Sequence, residues 1–207
     1  MKSTIKQFKN GFTLAEVLIT LVIVGVVAAL TIPNIVYNSK KQEYSSRLKK
    51  FYSTMRQVEQ KAMADGKSWV DWAETNNFTN GSSGEAITTS FINSCILPYM
   101  SYSKATSNTV YLNDGSYFSL RKGTCFDFTF DVNGGKKPNQ TGSDQYLFLY
   151  CPQGATSWIN QLTFIPYQTN TTSRSTLLSN CRTTSAYCSG LLMLDGWEYK
   201  SDYPYRL

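Results

Sequence analysis

The first pattern along the chain is an apolar run from Phe12 to Ile32 that is interrupted by one carboxylate, Glu16. About 21 helical residues at 1.5 Å each reach roughly 30 Å, the thickness of the hydrocarbon layer of a membrane. A carboxylate within a span costs about 2.5–3.5 kcal/mol on insertion scales. The pattern therefore predicts a membrane-spanning helix over residues 12–36 in which Glu16 needs a partner.

Past this run the apolar positions change to a helical stripe. Their spacings of four and three residues predict one amphipathic helix over 37–66 that continues the first and packs under a head domain. The stripe consists of Tyr44, Leu48, Phe51, Met55, Val58 and Ala62. Asp65-Gly66 supplies a stop signal. Pro33 removes one helix hydrogen bond and, with Gly25 upstream, marks a stretch that can kink or loosen.

Residues 67–207 read as a globular, β-rich head. A short helix is predicted near 88–99, followed by a hairpin with Asp-Gly at its turn (109–112 and 116–120) and strands at 124–130 and 145–151. We expect strands and turns from there to the end, with the apolar run Leu191–Leu194 forming the last strand. The fold class is α+β: a long N-terminal helix packed on a C-terminal antiparallel sheet.

The loop over 131–145 carries the candidate metal ligands. Asp131, Asn133 and Asp144 supply the oxygen atoms that Ca²⁺ prefers, around a glycine-rich segment. The alternative is an ordinary long hairpin in which the same residues form turns and caps. No other cofactor is required by the sequence.

Histidine is absent, and the five cysteines all lie beyond the apolar run. A Ser-His-Asp site, a Cys-His site and a His-rich zinc site are therefore excluded. In an exported domain disulfides are favoured, and Cys181–Cys188 is the first pair expected. Cys125 can bond to Cys151 if Phe130 pairs with Tyr146, or to Cys95 instead, and the sequence leaves both open.

The net charge of +6 is spread along the chain rather than gathered in one nucleic-acid patch. Basic residues flank the apolar run on both sides, which indicates contact with anionic lipid headgroups. More of them follow the run than precede it, and the positive-inside rule taken alone would place the head in the cytoplasm.

The segment from Gly11 to Leu18, GFTLAEVL, resembles the class III signal of type IV prepilins and type II secretion pseudopilins. The resemblance implies a leader at 1–11, cleavage between Gly11 and Phe12 by a prepilin peptidase, and methylation of the new Phe12 amine. It also implies that Glu16 pairs with that amine on a neighbouring subunit, and that Gly25 and Pro33 weaken the helix for assembly. Paired in this way, the buried acid is tolerated.

A pilin-like fold and a structural role follow from the same resemblance, which we weigh above the charge count. The chain is expected to be a single-pass inner-membrane protein with its head in the periplasm or in an extracellular filament, polymerising alone or with other pilins. A platform protein and an assembly ATPase are the implied partners, and some pseudopilins also carry calcium in their C-terminal β region.

A type II secretion pseudopilin is favoured, and a minor pilin at a filament tip suits the long head equally well. The alternative from another class is a competence pilin that binds DNA for uptake, although nucleic acid is not an expected partner. An exported enzyme on a plain anchor is disfavoured by the missing histidine and by the signal motif.

Overall fold

The computed structural model describes residues 11–74, 82–151, 163–167 and 173–207. The predicted leader over 1–11 therefore lies outside the described residues, except for Gly11. The chain divides into two compact units, residues 1–40 and 41–207. Each unit is described by itself below.

Helix α1 runs from Leu14 to Ala64 and includes both Gly25 and Pro33. In the first unit its large apolar side chains, from Leu14 to Val36, are exposed. Within the described ranges, α1 is the one helix that is long and apolar enough to cross a membrane, and its most apolar window is not buried at all. The expected apolar helix is present, and its length and composition suit a single-pass inner-membrane anchor.

The second part of α1 lies in the head, where the predicted stripe is buried. All six stripe residues, from Tyr44 to Ala62, are at most 3% exposed. Their spacing places them on one face of the helix, and this face packs against the sheet. The predicted amphipathic helix is thereby confirmed.

Short helical segments connect α1 to the sheet. Helix α2 spans Trp69–Glu74 and α3 spans Ser82–Phe91. A π-helical turn over Ile92–Ile96 and a 3₁₀ turn over Leu97–Tyr99 follow. The helix predicted near 88–99 thus ends where Pro98 indicated but begins several residues earlier.

The head contains a six-stranded antiparallel sheet in sequential order. Its strands are β1 (Lys104–Ala105), β2 (Thr109–Tyr111), β3 (Tyr117–Lys122), β4 (Phe126–Asp131), β5 (Gln145–Tyr150) and β6 (Ile165–Pro166). The hairpin between β2 and β3 and the two aromatic strands appear where the sequence placed them. Phe130 pairs with Tyr146, as the cross-strand disulfide required.

Alternate residues of β3, β4 and β5 point to opposite faces of the sheet. On the inner face, aromatic rings gather around Phe51 of α1. Its ring stacks on Phe130 with centroids 4.1 Å apart and an interplanar angle of 3°. Phe118 and Phe148 contact the same ring at 5.4 and 5.2 Å. This cluster is the centre of the core.

The expectation of strands to the C-terminus is wrong. Helix α4 spans Arg174–Thr183, a 3₁₀ turn covers Ser185–Tyr187, and α5 covers Cys188–Leu194. The run Leu191–Leu194 thus lies in a helix, with Leu191 and Leu192 buried and Leu194 45% exposed. A short apolar run fits a buried strand and a buried helix equally well, so only its packing partners decide between them.

Candidate functional site

The signal motif begins α1 with a reciprocal capping box. The Thr13 N–H and the Thr13 Oγ1 hydroxyl each donate to Glu16 Oε2 at 2.8 Å. In return, the Glu16 N–H donates to Thr13 Oγ1 at 3.2 Å. Backbone N–H groups at a helix start have no intrahelical acceptor, so this exchange stabilises the first turn.

The sequence reading missed this capping box, although its Thr-x-x-Glu signature stands in the motif. It gives Glu16 a partner within its own chain before any neighbour is considered. Thr13 immediately follows Phe12, the residue whose amine the peptidase would create. The carboxylate of Glu16 thus already faces the end of the helix at which cleavage is predicted.

Gly25 and Pro33 both lie within the continuous helix. A Cβ added to Gly25 would meet no other atom within 4 Å. Glycine is therefore not required there by packing within the subunit. Its helix-weakening role in assembly, with that of Pro33, stays a prediction.

The loop between β4 and β5 brings together the candidate calcium ligands. Asp131 and Asp144 are fully buried. Asp131 Oδ1 accepts hydrogen bonds from the N–H groups of Asn133 and Gly135 at 3.1 and 3.0 Å. This is an Asx-type arrangement that shapes the turn after β4.

Asp144 closes the other side of the same loop. Its Oδ2 accepts from the Asn139 N–H and from Asn133 Nδ2, both at 2.9 Å, and its Oδ1 accepts from the Gln140 N–H at 2.6 Å. The C-terminal segment holds this loop from outside, because Tyr203 OH donates to the Gly142 carbonyl at 2.6 Å. A Cβ on Gly142 would lie 2.8 Å from the Tyr205 ring, so glycine is needed there.

Calcium would have to compete with these hydrogen bonds for the same oxygens. Ca²⁺ takes six to eight oxygen ligands. Asn133 Oδ1 is buried without a hydrogen-bond partner, which makes it the one free oxygen of the three predicted ligands. Among the residues that the structure describes, no group of three or more His, Cys, Asp or Glu side chains is arranged to hold a metal. Calcium binding by Asp131, Asn133 and Asp144 stays a prediction, which calorimetric titration of the full chain with CaCl₂ can test.

Two disulfides fix the head. Cys125 bonds to Cys151 across the ends of β4 and β5, and Cys181 bonds to Cys188 between α4 and α5. The second is the pair that the spacing favours, and the first follows from the strand register. Cys95 is the free thiol of the described residues and is buried in the core.

An ion-pair network that the sequence reading missed ties the C-terminal segment to α4. Both sides of the Arg174 guanidinium are used: Nε and Nη2 donate to Asp195 at 2.7 and 2.9 Å, and Nη1 and Nη2 donate to Asp202 at 2.7 Å. Lys200 adds a second cation 2.7 Å from Asp195. These residues are distant in sequence and belong to no motif, so the network could be found only from the folded structure.

Comparison with known proteins adds two family matches. Residues 6–32 match the prokaryotic N-terminal methylation motif, the class III signal of type IV pilins and pseudopilins. Residues 34–207 match a family of unknown function, DUF6613. No curated protein and no solved structure matches the chain significantly. The first match implies processing by a prepilin peptidase and polymerisation as a pilin. The chain therefore belongs to the DUF6613 family, and its N-terminal methylation motif makes it a subunit of the type IV pilin and pseudopilin kind.

Proposed function

We propose that the chain is a pseudopilin of a type II secretion system, cleaved after Gly11, methylated at Phe12 and polymerised into a short filament. The observation that carries the proposal is the register of Gly11, Phe12 and Glu16 with the exposed apolar part of α1. A pilus-like filament would use the same steps and differ in its partners. In either case the chain is a structural subunit rather than an enzyme.

The capping box supports a specific role for Glu16 in assembly. After cleavage, the Phe12 amine would be a cation one residue before the Thr13 N–H that already binds Glu16. A carboxylate among packed apolar helices is tolerated when it is paired with a cation. A subunit whose Glu16 pairs with the Phe12 amine of a neighbour would therefore be more stable than a monomer in the lipid bilayer.

The disulfides support a head on the outer side of the inner membrane. Disulfides form and persist in oxidising compartments such as the bacterial periplasm, and are rare in the cytosol. The head has two of them, and its free thiol is buried. This opposes the cytoplasmic placement that the charge count alone would give.

Processing is tested by coexpressing the full chain with a prepilin peptidase and measuring its intact mass. We expect loss of residues 1–11 and addition of one methyl group at Phe12. Gly11→Val should block cleavage, while Gly25→Val, a matched glycine change, should leave it intact. An unchanged mass for the parent chain would refute the proposal.

Assembly is tested separately with Glu16→Gln, which keeps the shape of the side chain and removes its charge. We expect normal cleavage and loss of the variant from sheared filaments, detected with an antibody against the head. Incorporation at the parental level would show that the Glu16 charge is not needed for docking.

DNA binding is retained as a second candidate function because of one exposed feature of the head. Lys104 lies 5.9 Å above the ring of Tyr111, and the side chains of Lys136 and Lys137 are also exposed. Aromatic rings next to cations are typical of single-strand binding surfaces. A filter-binding assay of the full chain at two salt concentrations tests this, and salt-independent or absent retention removes the candidate.

A further inference from the structure

The outer face of the sheet, opposite α1, carries a cavity that the proposed function does not use. The cavity, here called the outer trough, has a volume of about 600 Å³. It extends from the edge of α3 across β3 and β4 to Leu147 of β5. Its lining residues are Glu85, Thr88, Asn108, Ser119, Leu120, Arg121, Lys122, Asp127, Thr129 and Leu147. Pockets of this size suit ligands of a few hundred daltons or more.

The alternation of the strands produces the trough. Phe118 on β3 and Phe128 and Phe130 on β4 point into the core. Their neighbours Ser119 and Arg121 on β3, and Asp127 and Thr129 on β4, therefore face outward. Ser119 and Thr129 are directly paired across β3 and β4, and Arg121 is paired with Asp127. The outer face is therefore a ladder of hydroxyl pairs and charged pairs rather than an apolar surface.

Positive charge is not in excess in the trough. Arg121 faces outward with two carboxylates, Asp127 and Glu85. Lys122 also lines the cavity, but it is 3% exposed and its ammonium donates to the carbonyls of Gly123 and Thr124. Burial lowers the pKa of Lys122 and raises the pKa of Asp127, so both shifts favour the neutral forms. A polyanion requires an excess of positive charge, and the trough does not offer one.

Several hydrogen-bonding groups in the trough have no partner among the residues that the structure describes. Arg121 Nη2 donates to Asp127 Oδ2 at 3.0 Å, which leaves most donors of the guanidinium free. Asn108 uses its Oδ1 to accept from Thr109, and Glu85 uses Oε1 to accept from Ser107. Within the described ranges, the Asn108 amide N–H₂ group and the Ser119 and Thr129 hydroxyls have no hydrogen-bond partner.

A protein partner is a poor match for the same lining. Protein interfaces concentrate their affinity in buried aromatic or aliphatic anchors that enter apolar pockets. The trough offers Leu147 as its large outward apolar side chain, between polar groups, because the side chain of Leu120 is buried in the core. Next to it on β3, the partly buried Tyr117 packs against Tyr111, which is 38% exposed, with ring centroids 5.5 Å apart. These rings can cover an apolar ligand face beside the polar cavity.

We infer that the outer trough binds a neutral oligosaccharide. Sugar hydroxyls both donate and accept, and they match the Ser119 and Thr129 hydroxyls, the Asn108 amide N–H₂ group and the remaining donors of Arg121. The C–H faces of a sugar ring would lie on Tyr111 and Tyr117. The site belongs to the head alone and does not depend on cleavage or assembly.

The test uses the full chain in lauryldimethylamine oxide, since a maltoside detergent would itself offer sugar. Cellotriose, maltotriose and triacetylchitotriose are added up to about 10 mM, where even a Kd of about 1 mM gives high occupancy. Binding is read by saturation-transfer difference NMR. We expect saturation of at least one trisaccharide, and loss of affinity by about fivefold or more in Asp127→Asn.

Ser119→Leu fills the middle of the trough and should abolish the signal. Asp114→Asn is the matched control, because Asp114 forms a comparable surface ion pair with Lys50 outside the trough. Thermal unfolding of each variant shows whether it is folded. If Ser119→Leu is not folded, the comparison of Asp127→Asn with the parent chain decides the test. No transfer from any trisaccharide, or equal transfer in Asp127→Asn and the parent, overturns the inference. Competition by a thymidine 20-mer, lost in 0.5 M salt, would assign the trough to a polyanion and overturn it as well.

Discussion

The two parts of α1 are both rich in apolar residues, yet they bury them very differently. Over 14–36 the side chains are exposed on all sides, with Leu14 at 81% and Leu30 at 70%. Over 44–62 the six stripe residues are almost fully buried, and the residues between them are mostly polar. Apolar residues all around a helix require an apolar environment, whereas one apolar stripe requires one packed neighbour.

The difference shows where each part finds its stabilising contacts. The stripe finds them in the subunit itself, on Phe118, Phe130 and Phe148 of the sheet. The exposed part has no such contacts within the described residues, and its length and composition suit a single-pass membrane anchor. Two of the glutamates of α1 follow the same division: Glu59 is bound within the head, and Glu16 is bound at the helix start.

The largest effect is expected from a truncation in the stripe. Phe51→Ala removes a ring packed against four others and should reduce the free energy of unfolding of the head by about 3–5 kcal/mol. Val22→Ala, in the exposed part, should leave head unfolding unchanged. Urea unfolding of the full chain, followed by tryptophan fluorescence, measures both. Equal effects of the two variants would contradict the comparison.

The disulfides allow a second measurement within the head. Cys125–Cys151 spans 26 residues and Cys181–Cys188 spans 7. Loop-closure entropy predicts losses of about 3.5 and about 2.4 kcal/mol when each pair is replaced by serine. Denaturant unfolding of the two double variants gives both values. A larger loss for Cys181–Cys188 would show that native packing, rather than loop length, dominates.

Glu59 should make the stability of the head depend on pH. Burial raises the pKa of Glu59, while its Oε2 accepts from the Phe164 N–H and Thr163 Oγ1 at 3.3 Å and from Arg56 Nη1 at 3.0 Å. Between the unfolded pKa of 4.5 and the raised folded pKa, the native state binds more protons than the unfolded state. Stability should therefore fall as pH rises through this window.

Replacing Glu59 isolates this dependence. Glu59→Gln should flatten that part of the stability curve, and Glu43→Gln, at an exposed ion pair with Arg47, should not. Urea midpoints measured at several pH values provide the curves. A parental slope that persists in Glu59→Gln would assign the dependence to another group.

The smallest effect is expected at the start of α1. Thr13→Val removes both hydroxyl bonds of the capping box and should speed amide exchange in the first turn without moving the unfolding midpoint of the head. Thr20→Val is the matched control, because its hydroxyl bonds only to the Val17 carbonyl within the helix. Exchange mass spectrometry in detergent compares them. Unchanged exchange at residues 14–17 in Thr13→Val would show that the box contributes little.

Much of the fold was predictable because its signals are local. The length of α1 follows from the apolar run, the stripe and Asp65-Gly66, and the β2–β3 hairpin follows from Asp114-Gly115. The C-terminal helices were missed because Leu191–Leu194 is too short to show a period. Packing of Leu191 beside Leu177 and the Cys181–Cys188 pair makes that segment helical, and this is information from distant parts of the chain.

The candidate sites divide in the same way. The sequence alone determined the signal motif and the family resemblance, because Gly11, Phe12 and Glu16 lie within one six-residue segment that can be recognised without the fold. It also brought Asp131, Asn133 and Asp144 into one loop. Only the tertiary structure decided that their oxygens are bound by loop N–H groups and that Arg174 joins Asp195 to Asp202. The outer trough likewise depends on strand register, because cross-strand neighbours are set by hydrogen bonding between segments and not by sequence distance.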